Sequence, residues 1–274
     1  MKKVTFLLIV IIMIFSFSTT EAQIKNRPLV TIDVLGGYDL PLLGMGGSEI
    51  KNFWFFDNYG ISNAFGGGVN VKLTVASKEK YQLGIYSTMN YTQGWNSNDV
   101  AYNIGGINNS NEIGPGWPGG SQYLYPVATQ GTSSARMNIF SFGLGCEAGV
   151  YLGKEQKSSF NFGLDIDASI ITGRVYNTYP DKEIFYTIPG TLRFGFGANI
   201  IYNLKVTPVL GLNFGTRFQF HNLLGSNFEN TTRTDGWWVP LNDGASNIPG
   251  TTSGTRYIAS INLFTGVSFY IGTR

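Results

Sequence analysis

The sequence predicts an all-β protein, an eight-stranded antiparallel up-and-down transmembrane β-barrel that follows a cleaved signal peptide. Three observations predict it: charged residues of the alternating segments share one face, the opposite face carries large apolar side chains, and short and long connections alternate along the chain. The seven charged residues on the shared face are Asp33, Lys72, Glu147, Asp165, Asp167, Arg193 and Arg217.

The faces of the predicted strands are inverted relative to those of a soluble barrel. Successive side chains of a strand point to opposite faces, so Val71 and Leu73 face away from Lys72, and Phe194 faces away from Arg193. The charged face is rich in Gly, Asn, Ser and Thr, which is typical of the interior of a barrel immersed in lipid. A soluble ligand-binding barrel of lipocalin type would need the large apolar side chains to point inward, and the placement of the charges argues against it.

The N-terminus has the pattern of a secretory signal peptide. Lys2 and Lys3 form a positive region, residues 6–17 are almost all apolar, and Thr20-Glu21-Ala22 is a small-residue cleavage site. The apolar run is too short for a spanning helix. We therefore expect residues 1–22 to be the signal peptide and residues 23–274 to be a single outer-membrane barrel domain.

Eight segments alternate for long enough to cross a bilayer as tilted strands, which takes about 9–11 residues. The first is the least regular, because Leu35 falls on its inward face and Gly36-Gly37 weakens the strand. The predicted strands are Leu29–Tyr38, Ala64–Ala76, Tyr81–Thr92, Arg136–Leu152, Phe160–Thr172, Gly190–Asn203, Pro208–Phe220 and Arg256–Ile271.

Connections of two classes alternate strictly between these strands. The short class consists of Ser77–Lys80, Gly153–Ser159 and Leu204–Thr207. The longer class, rich in Gly, Asn, Ser and Pro, consists of Asp39–Asn63, Gln93–Ala135, Gly173–Pro189 and Asn222–Thr255. Bacterial outer-membrane barrels have short periplasmic turns and longer extracellular loops, so the alternation predicts the orientation of the chain in a bacterial outer membrane.

In this architecture the chain resembles the small eight-stranded outer-membrane barrels of the OmpA transmembrane domain and OmpX type. The resemblance spans the predicted mature chain and rests on face alternation and loop alternation. Members of this family commonly end on an aromatic residue, whereas this chain ends Gly272-Thr273-Arg274. The resemblance implies outer-membrane lipid and the barrel assembly machinery as partners.

The seven inward charges allow two hypotheses about the lumen. Eight strands enclose a space that side chains can just fill, which excludes a wide diffusion porin. Four carboxylates and three cations then form either a sealed network of ion pairs and hydrogen bonds or a narrow ion path lined by Asp165, Asp167, Arg193 and Arg217. Inward glycines leave room for either arrangement.

The sequence favours a protein that is not an enzyme. His221 is the single histidine and is predicted at a rim, while Ser226 and Glu229 follow it without a recognised catalytic spacing. No motif for a metal or a cofactor is present, and no basic run suggests nucleic acid. The single cysteine, Cys146, is predicted to pack on the apolar face.

All five tryptophans fall on the side of the long connections. Trp95 suits an aromatic girdle at the membrane surface, and Trp54, within Phe53-Trp54-Phe55-Phe56, is a second candidate for this girdle. A candidate loop interaction surface consists of Trp54, Trp117, Trp237 and Trp238. The mid-loop tryptophans either cap the barrel or bind a surface protein or glycan partner, since exposed aromatic side chains mark interfaces. The predicted role is structural or adhesive, through the extracellular loops, with a narrow pore as the alternative.

Overall fold

The computed structural model describes residues 27–43, 45–46, 59–78, 80–98, 101–105, 125–129, 131–153, 156–180, 183–224, 231–233, 238–239 and 257–273. The predicted signal peptide lies outside these residues, so the domain boundary at residue 22 stays a prediction. No helix in the described part is long and apolar enough to cross a membrane.

Twelve strands occur in the described residues: β1 Pro28–Leu43, β2 Asn63–Lys78, β3 Tyr81–Asn98, β4 Ala101–Gly105, β5 Tyr125–Thr129, β6 Thr132–Leu152, β7 Ser158–Thr178, β8 Glu183–Lys205, β9 Leu210–Leu224, β10 Thr231–Arg233, β11 Trp238–Val239 and β12 Ile258–Thr273. Eight of them, β1, β2, β3, β6, β7, β8, β9 and β12, are the predicted barrel strands. Strands β4 and β5 form a separate hairpin, and β10 and β11 extend from β8.

The eight strands form a closed antiparallel ring. Each pairs with its neighbour in the order β1, β2, β3, β6, β7, β8, β9 and β12, and β12 pairs again with β1 from Pro28↔Thr273 to Leu43↔Ile258. Closure leaves no unpaired sheet edge at the level of the ring, which a sheet in lipid requires. The predicted fold class is therefore confirmed.

An apolar band surrounds the outside of the ring. On β7 it runs from Phe160 to Ile170 and includes Leu164 and Ile166, whose exposed fractions are 65% and 73%. Ten residues of tilted strand span about 25 Å, the height of the apolar band of an outer-membrane barrel. Cys146 is exposed on this face, as its position in the alternation predicts. The band identifies the part of the barrel that lies in the membrane.

At the long-connection end several strands continue beyond their predicted ends. β6 begins four residues before Arg136, β7 ends six residues after Thr172, and β8 begins at Glu183 instead of Gly190. The predicted long connection Gly173–Pro189 is therefore wrong, because both flanking strands continue and only residues 179–182 join them.

The two faces change in character in the extensions of β6 and β7. Most inward residues are apolar and buried, with the hydrogen-bonded pair Ser133 and Asn177 among them, while outward residues such as Arg136 and Arg174 are exposed and charged. The buried apolar set is Ala135, Met137, Ile139, Ile171 and Val175. This is the pattern of a soluble barrel, so the extended strands rise out of the membrane.

Candidate functional site

The candidate site is the lumen, which contains all seven charged residues identified in the sequence. Their exposed fractions lie between 0% and 6%. The ring turns every inward residue toward the same enclosed space, so charges far apart in the sequence become neighbours. Isolated buried charges cost several kcal/mol each, so their partners decide what the lumen can do.

Lys72 joins two carboxylates near the turn end of the lumen. Its Nζ lies 3.0 Å from Asp33 Oδ2 and 3.1 Å from Glu147 Oε2. Ser268 Oγ donates to the other Asp33 oxygen at 2.7 Å and accepts from Asn213 Nδ2 at 2.9 Å. This Lys72 cluster connects β2, β1, β6, β12 and β9, so it crosses the barrel from wall to wall.

Asp165 organises a second cluster. Arg217 Nη2 donates to its Oδ1 at 2.7 Å, and Tyr86 Oη donates to its Oδ2 at 2.6 Å. Asn199 Nδ2 donates to Tyr86 Oη at 2.8 Å, and Arg217 Nη1 donates to Thr88 Oγ1 at 3.1 Å. In this Asp165 cluster, both oxygens of the carboxylate accept hydrogen bonds and the Arg217 guanidinium balances its charge, so the carboxylate is already paired within the protein.

The remaining two charges of the hypothetical ion path also have protein partners. Asp167 accepts weak hydrogen bonds from Gln219 Nε2 and Ser169 Oγ, both at 3.4 Å. Arg193 is fully buried, and its Nη1 donates to the backbone oxygen of Ile171 at 3.4 Å. The two acidic and two basic side chains therefore do not face each other across an open channel.

Inward glycines make room for these clusters. A Cβ at Gly197 would lie 2.7 Å from Asp165 Oδ1 and 2.9 Å from Arg217 Nη2, and a Cβ at Gly163 would lie 2.9 Å from Tyr86 Oη. A remaining lumen cavity of about 20 Å³ beside Gly67 holds roughly one water molecule. The space that glycine leaves is thus largely filled by polar side chains.

Arg27 closes the lumen at the turn end, and sequence reasoning missed it because it lies outside the alternating segments. Its guanidinium lies 4.2 Å from the centre of the Tyr151 ring and donates to the backbone oxygen of Tyr81 at 2.9 Å and to Gln156 Oε1 at 3.1 Å. Burial lowers the pKa of Arg27, the Tyr151 interaction raises it, and the group stays charged. Tyr151 Oη donates to Gln82 Oε1 at 2.8 Å, which continues the layer.

At the loop end, three residues of the first long connection fold into the barrel: Met45, Tyr59 and Ile61 are each at most 1% exposed. Ile61 N donates to Met45 O at 3.2 Å, and Asn96 Nδ2 donates to the oxygen of Gly60 at 2.7 Å. No periodic signal marks these residues in the sequence. We call them the loop-end plug, since Ile61 and Met45 approach the inward Gly94 of β3, where an added Cβ would lie 2.6 Å from Ile61 Cγ2 and 3.4 Å from Met45 Cε.

His221 does not lie at a rim, so this expectation is wrong. β9 continues to Leu224, and the ring turns His221 inward with 1% exposure. Its Nδ1 lies 3.2 Å from Ser169 Oγ, which in turn donates to Asp167 Oδ1 at 3.4 Å. Ser169 lies between the other two groups, whereas a catalytic triad places the histidine between the hydroxyl and the carboxylate. Ser226 and Glu229 lie outside the described residues.

The tryptophans divide between described and undescribed parts of the chain. Trp54, Trp117 and Trp237 lie outside the described residues, and only the backbone of Trp238 is described, in β11. Trp95 is 39% exposed and stacks on Phe65 with ring centres 5.7 Å apart. Phe65 also meets Tyr38 edge to face at 5.3 Å. These three rings form an aromatic row on the outside of the barrel, above the apolar band, as expected of a girdle.

The fold and lumen together define a transmembrane β-barrel with a polar, densely hydrogen-bonded interior. No protein-family model matches the sequence, and no curated protein matches it. Among solved structures, Neisserial surface protein A is 10% identical, with 88% of this chain and 97% of that chain covered and a TM-score of 0.38. A major outer membrane protein from Thermus thermophilus is 12% identical, with 88% and 98% covered and a TM-score of 0.42.

The outer membrane protease OmpT from Escherichia coli is also similar, at 9% identity and a TM-score of 0.43, with 77% of this chain and 65% of that chain covered. At identities this low, neither an activity nor a binding partner of these proteins can be transferred to this chain. The role of the protein is therefore argued from its own residues.

Proposed function

We propose that this protein is a closed-lumen barrel of a bacterial outer membrane that anchors surface loops for adhesion or for binding a partner protein or glycan. The observation that carries the proposal is the filled lumen. The Lys72 cluster and the Asp165 cluster together reach all eight strands of the ring, and Arg27 and the loop-end plug lie buried at its two ends. A barrel filled in this way acts as a rigid support.

The loop side favours an interactive role for this support. The strands β6, β7 and β8 contain 21, 21 and 23 residues, about twice the length that crosses a bilayer. The extensions of β6 and β7 bury apolar side chains such as Met137 and Val175 inside the ring, so they raise the adjoining loops above the membrane surface. A protein needed only in the membrane has no use for such a raised platform.

We also propose that the protein is not an enzyme. The pair of His221 and Ser169 is 1% and 0% exposed, which shields it from a substrate outside the barrel. Its geometry lacks a carboxylate on the histidine in the described residues, because Asp167 contacts the serine instead. A hydrogen-bonded interior pair explains these contacts without catalysis.

Loop tryptophan variants test the interactive role. We expect Trp117→Ala combined with Trp237→Ala and Trp238→Ala to abolish the binding of cells displaying the barrel to a glycan array and to reduce cell–cell aggregation. Trp95→Phe is the matched control, because it removes a tryptophan from the girdle and leaves the loops intact. Unchanged binding by the loop variant, or no binding by the wild-type protein to any of these surfaces, would contradict the adhesive role and leave structural capping as the function of the tryptophans.

A further inference from the structure

The lumen cavity is bordered by buried polar atoms that still need a hydrogen-bond partner. Its volume is about 20 Å³, and Arg217, Asn199 and Asn70, which are 4%, 5% and 2% exposed, are among the residues around it. In the part of the chain that the structure describes, Arg217 Nε, Asn199 Oδ1 and Asn70 Oδ1 each lack a partner. Buried polar atoms are nearly always hydrogen-bonded, so three such atoms around one cavity indicate a bound ligand.

Arg217 carries the donor of this set across the barrel. Its strand, β9, is separated from β3 by β12, β1 and β2 on one side and by β8, β7 and β6 on the other, so the two strands form opposite walls. Nη1 donates to Thr88 Oγ1 on β3 at 3.1 Å, and Nη2 donates to Asp165 Oδ1 at 2.7 Å. These two bonds fix the position of the guanidinium group, whose Nε–H is a further donor that needs an acceptor.

The hydrogen bonds of Tyr86 fix the orientation of the Asn199 amide. Tyr86 Oη donates its single hydrogen to Asp165 Oδ2 at 2.6 Å, so toward Asn199 Nδ2, at 2.8 Å, it acts as the acceptor. Asn199 Oδ1 is then the end of the amide that remains to be paired. Asn199 and Arg217 are register partners on β8 and β9, a position at which Cβ atoms lie roughly 5 Å apart. An acceptor and a donor thus border the cavity from neighbouring strands.

Asn70 borders the cavity from β2, on the wall opposite β8. It is the register partner of Thr88, the residue to which Arg217 Nη1 donates. The guanidinium group therefore ends beside the Asn70 position, and Asn70 Oδ1 supplies a second acceptor. The set around the cavity consists of one N–H donor and two amide oxygens.

This set selects the ligand by its hydrogen-bonding character. A cation is repelled by the guanidinium group, an anion is repelled by the two amide oxygens, and an apolar molecule leaves all three atoms unpaired. A water molecule accepts one hydrogen bond from the N–H group and donates one to each oxygen. The cavity of about 20 Å³ exceeds the roughly 10–15 Å³ that one water needs, and about three polar partners are usual for a buried water.

We propose that this cavity binds one water molecule, which accepts from Arg217 Nε and donates to Asn199 Oδ1 and Asn70 Oδ1. The bound water connects the Asp165 cluster to β2, on which Lys72 is the next inward residue after Asn70. It thereby joins the two charge clusters of the lumen in one hydrogen-bonded interior. The site goes beyond the proposed function, because it depends on the packing of the lumen and not on what the loops bind.

A crystal structure of the refolded protein, from crystals grown with sodium bromide, tests the site. We expect one density peak in the cavity, within hydrogen-bond distance of Arg217 Nε and without the anomalous signal of bromide. In Asn70→Leu the peak is lost, because leucine removes an acceptor and its larger side chain takes up part of the cavity. In detergent micelles, the nuclear Overhauser effect between water and the Arg217 Nε–H proton is lost in the same variant.

Asn203→Leu is the matched control, because Asn203 is a buried asparagine of β8 that lies outside the lining of the cavity. It keeps both the density peak and the nuclear Overhauser effect. An empty cavity or a bromide peak in the wild-type protein would overturn the proposal without reference to any variant. Retention of the water in Asn70→Leu, or its loss in Asn203→Leu, would also overturn it. Unboiled gel migration verifies that each variant is folded.

Discussion

At the scale of single residues, the packing of the lumen depends on the inward glycines as much as on the charged side chains. Asp165 binds Arg217 and Tyr86 only because the neighbouring inward positions carry no side chain that would occupy the same space. The sequence shows that glycines and charges share a face, but it does not show which of them meet. The inward glycines are compatible with an ion path until the positions of the charged side chains are known.

Replacing Gly197 by alanine tests this dependence. The added methyl group would lie within 3 Å of both Asp165 oxygens and of Arg217 Nη2, so we expect a loss of about 1–3 kcal/mol in the free energy of unfolding. Urea unfolding in lipid vesicles, followed by the shift between unboiled and boiled gel positions, measures it. Gly36→Ala is the matched control, since an added Cβ there meets nothing within 4 Å. Equal stabilities of the two variants would mean that the Asp165 cluster is looser than described.

At the scale of the strand, the polar and apolar faces of one element change places along its length. In β7 the outward residues from Phe160 to Ile170 are apolar, and the outward residues beyond them include the charged Arg174. The inward residues change from Asp165 and Asp167 to Ile171 and Val175 over the same distance. Sequence reasoning ended this strand at Thr172 because it followed only the first of the two patterns.

Arginine substitutions on the outer face of β7 measure where the membrane ends. Ile166→Arg places a cation in the middle of the apolar band, and we expect it to cost about 2–4 kcal/mol of folding free energy in a bilayer. Thr178→Arg, on the same face in the raised extension, is expected to cost less than about 1 kcal/mol. Equal costs for the two substitutions, measured by urea unfolding in vesicles, would contradict the assigned position of the band.

At the scale of the whole molecule, closure of the ring brings the inward side chains of all eight strands into one enclosed interior. Lys72 of β2 meets Glu147 of β6 over the intervening strand β3, and Arg27 and the loop-end plug lie at the two ends. The buried polar clusters that occupy the lumen, beside a cavity of about 20 Å³ that holds roughly one water molecule, are the basis for expecting no conduction.

Single-channel recording in a planar bilayer tests this expectation. We expect the folded wild-type barrel, verified by its heat-modifiable gel migration, to give no discrete openings. Steady openings whose conductance changes in Asp167→Asn would establish the alternative of a narrow pore. Glu183→Gln serves as a control for nonspecific charge effects, because this carboxylate is exposed near the loop end, outside the lumen.

The sequence by itself determined the number of barrel strands, their antiparallel order, the lipid-facing side of each and the burial of the seven charges. These follow from a two-residue period and from connection lengths, which are local properties of the chain. Only the tertiary structure decided that Lys72 pairs with Asp33 and Glu147, that Asp165 pairs with Arg217, and that His221 contacts Ser169. The physical reason is that such partners depend on the register around the closed ring and on how far each strand rises above the membrane.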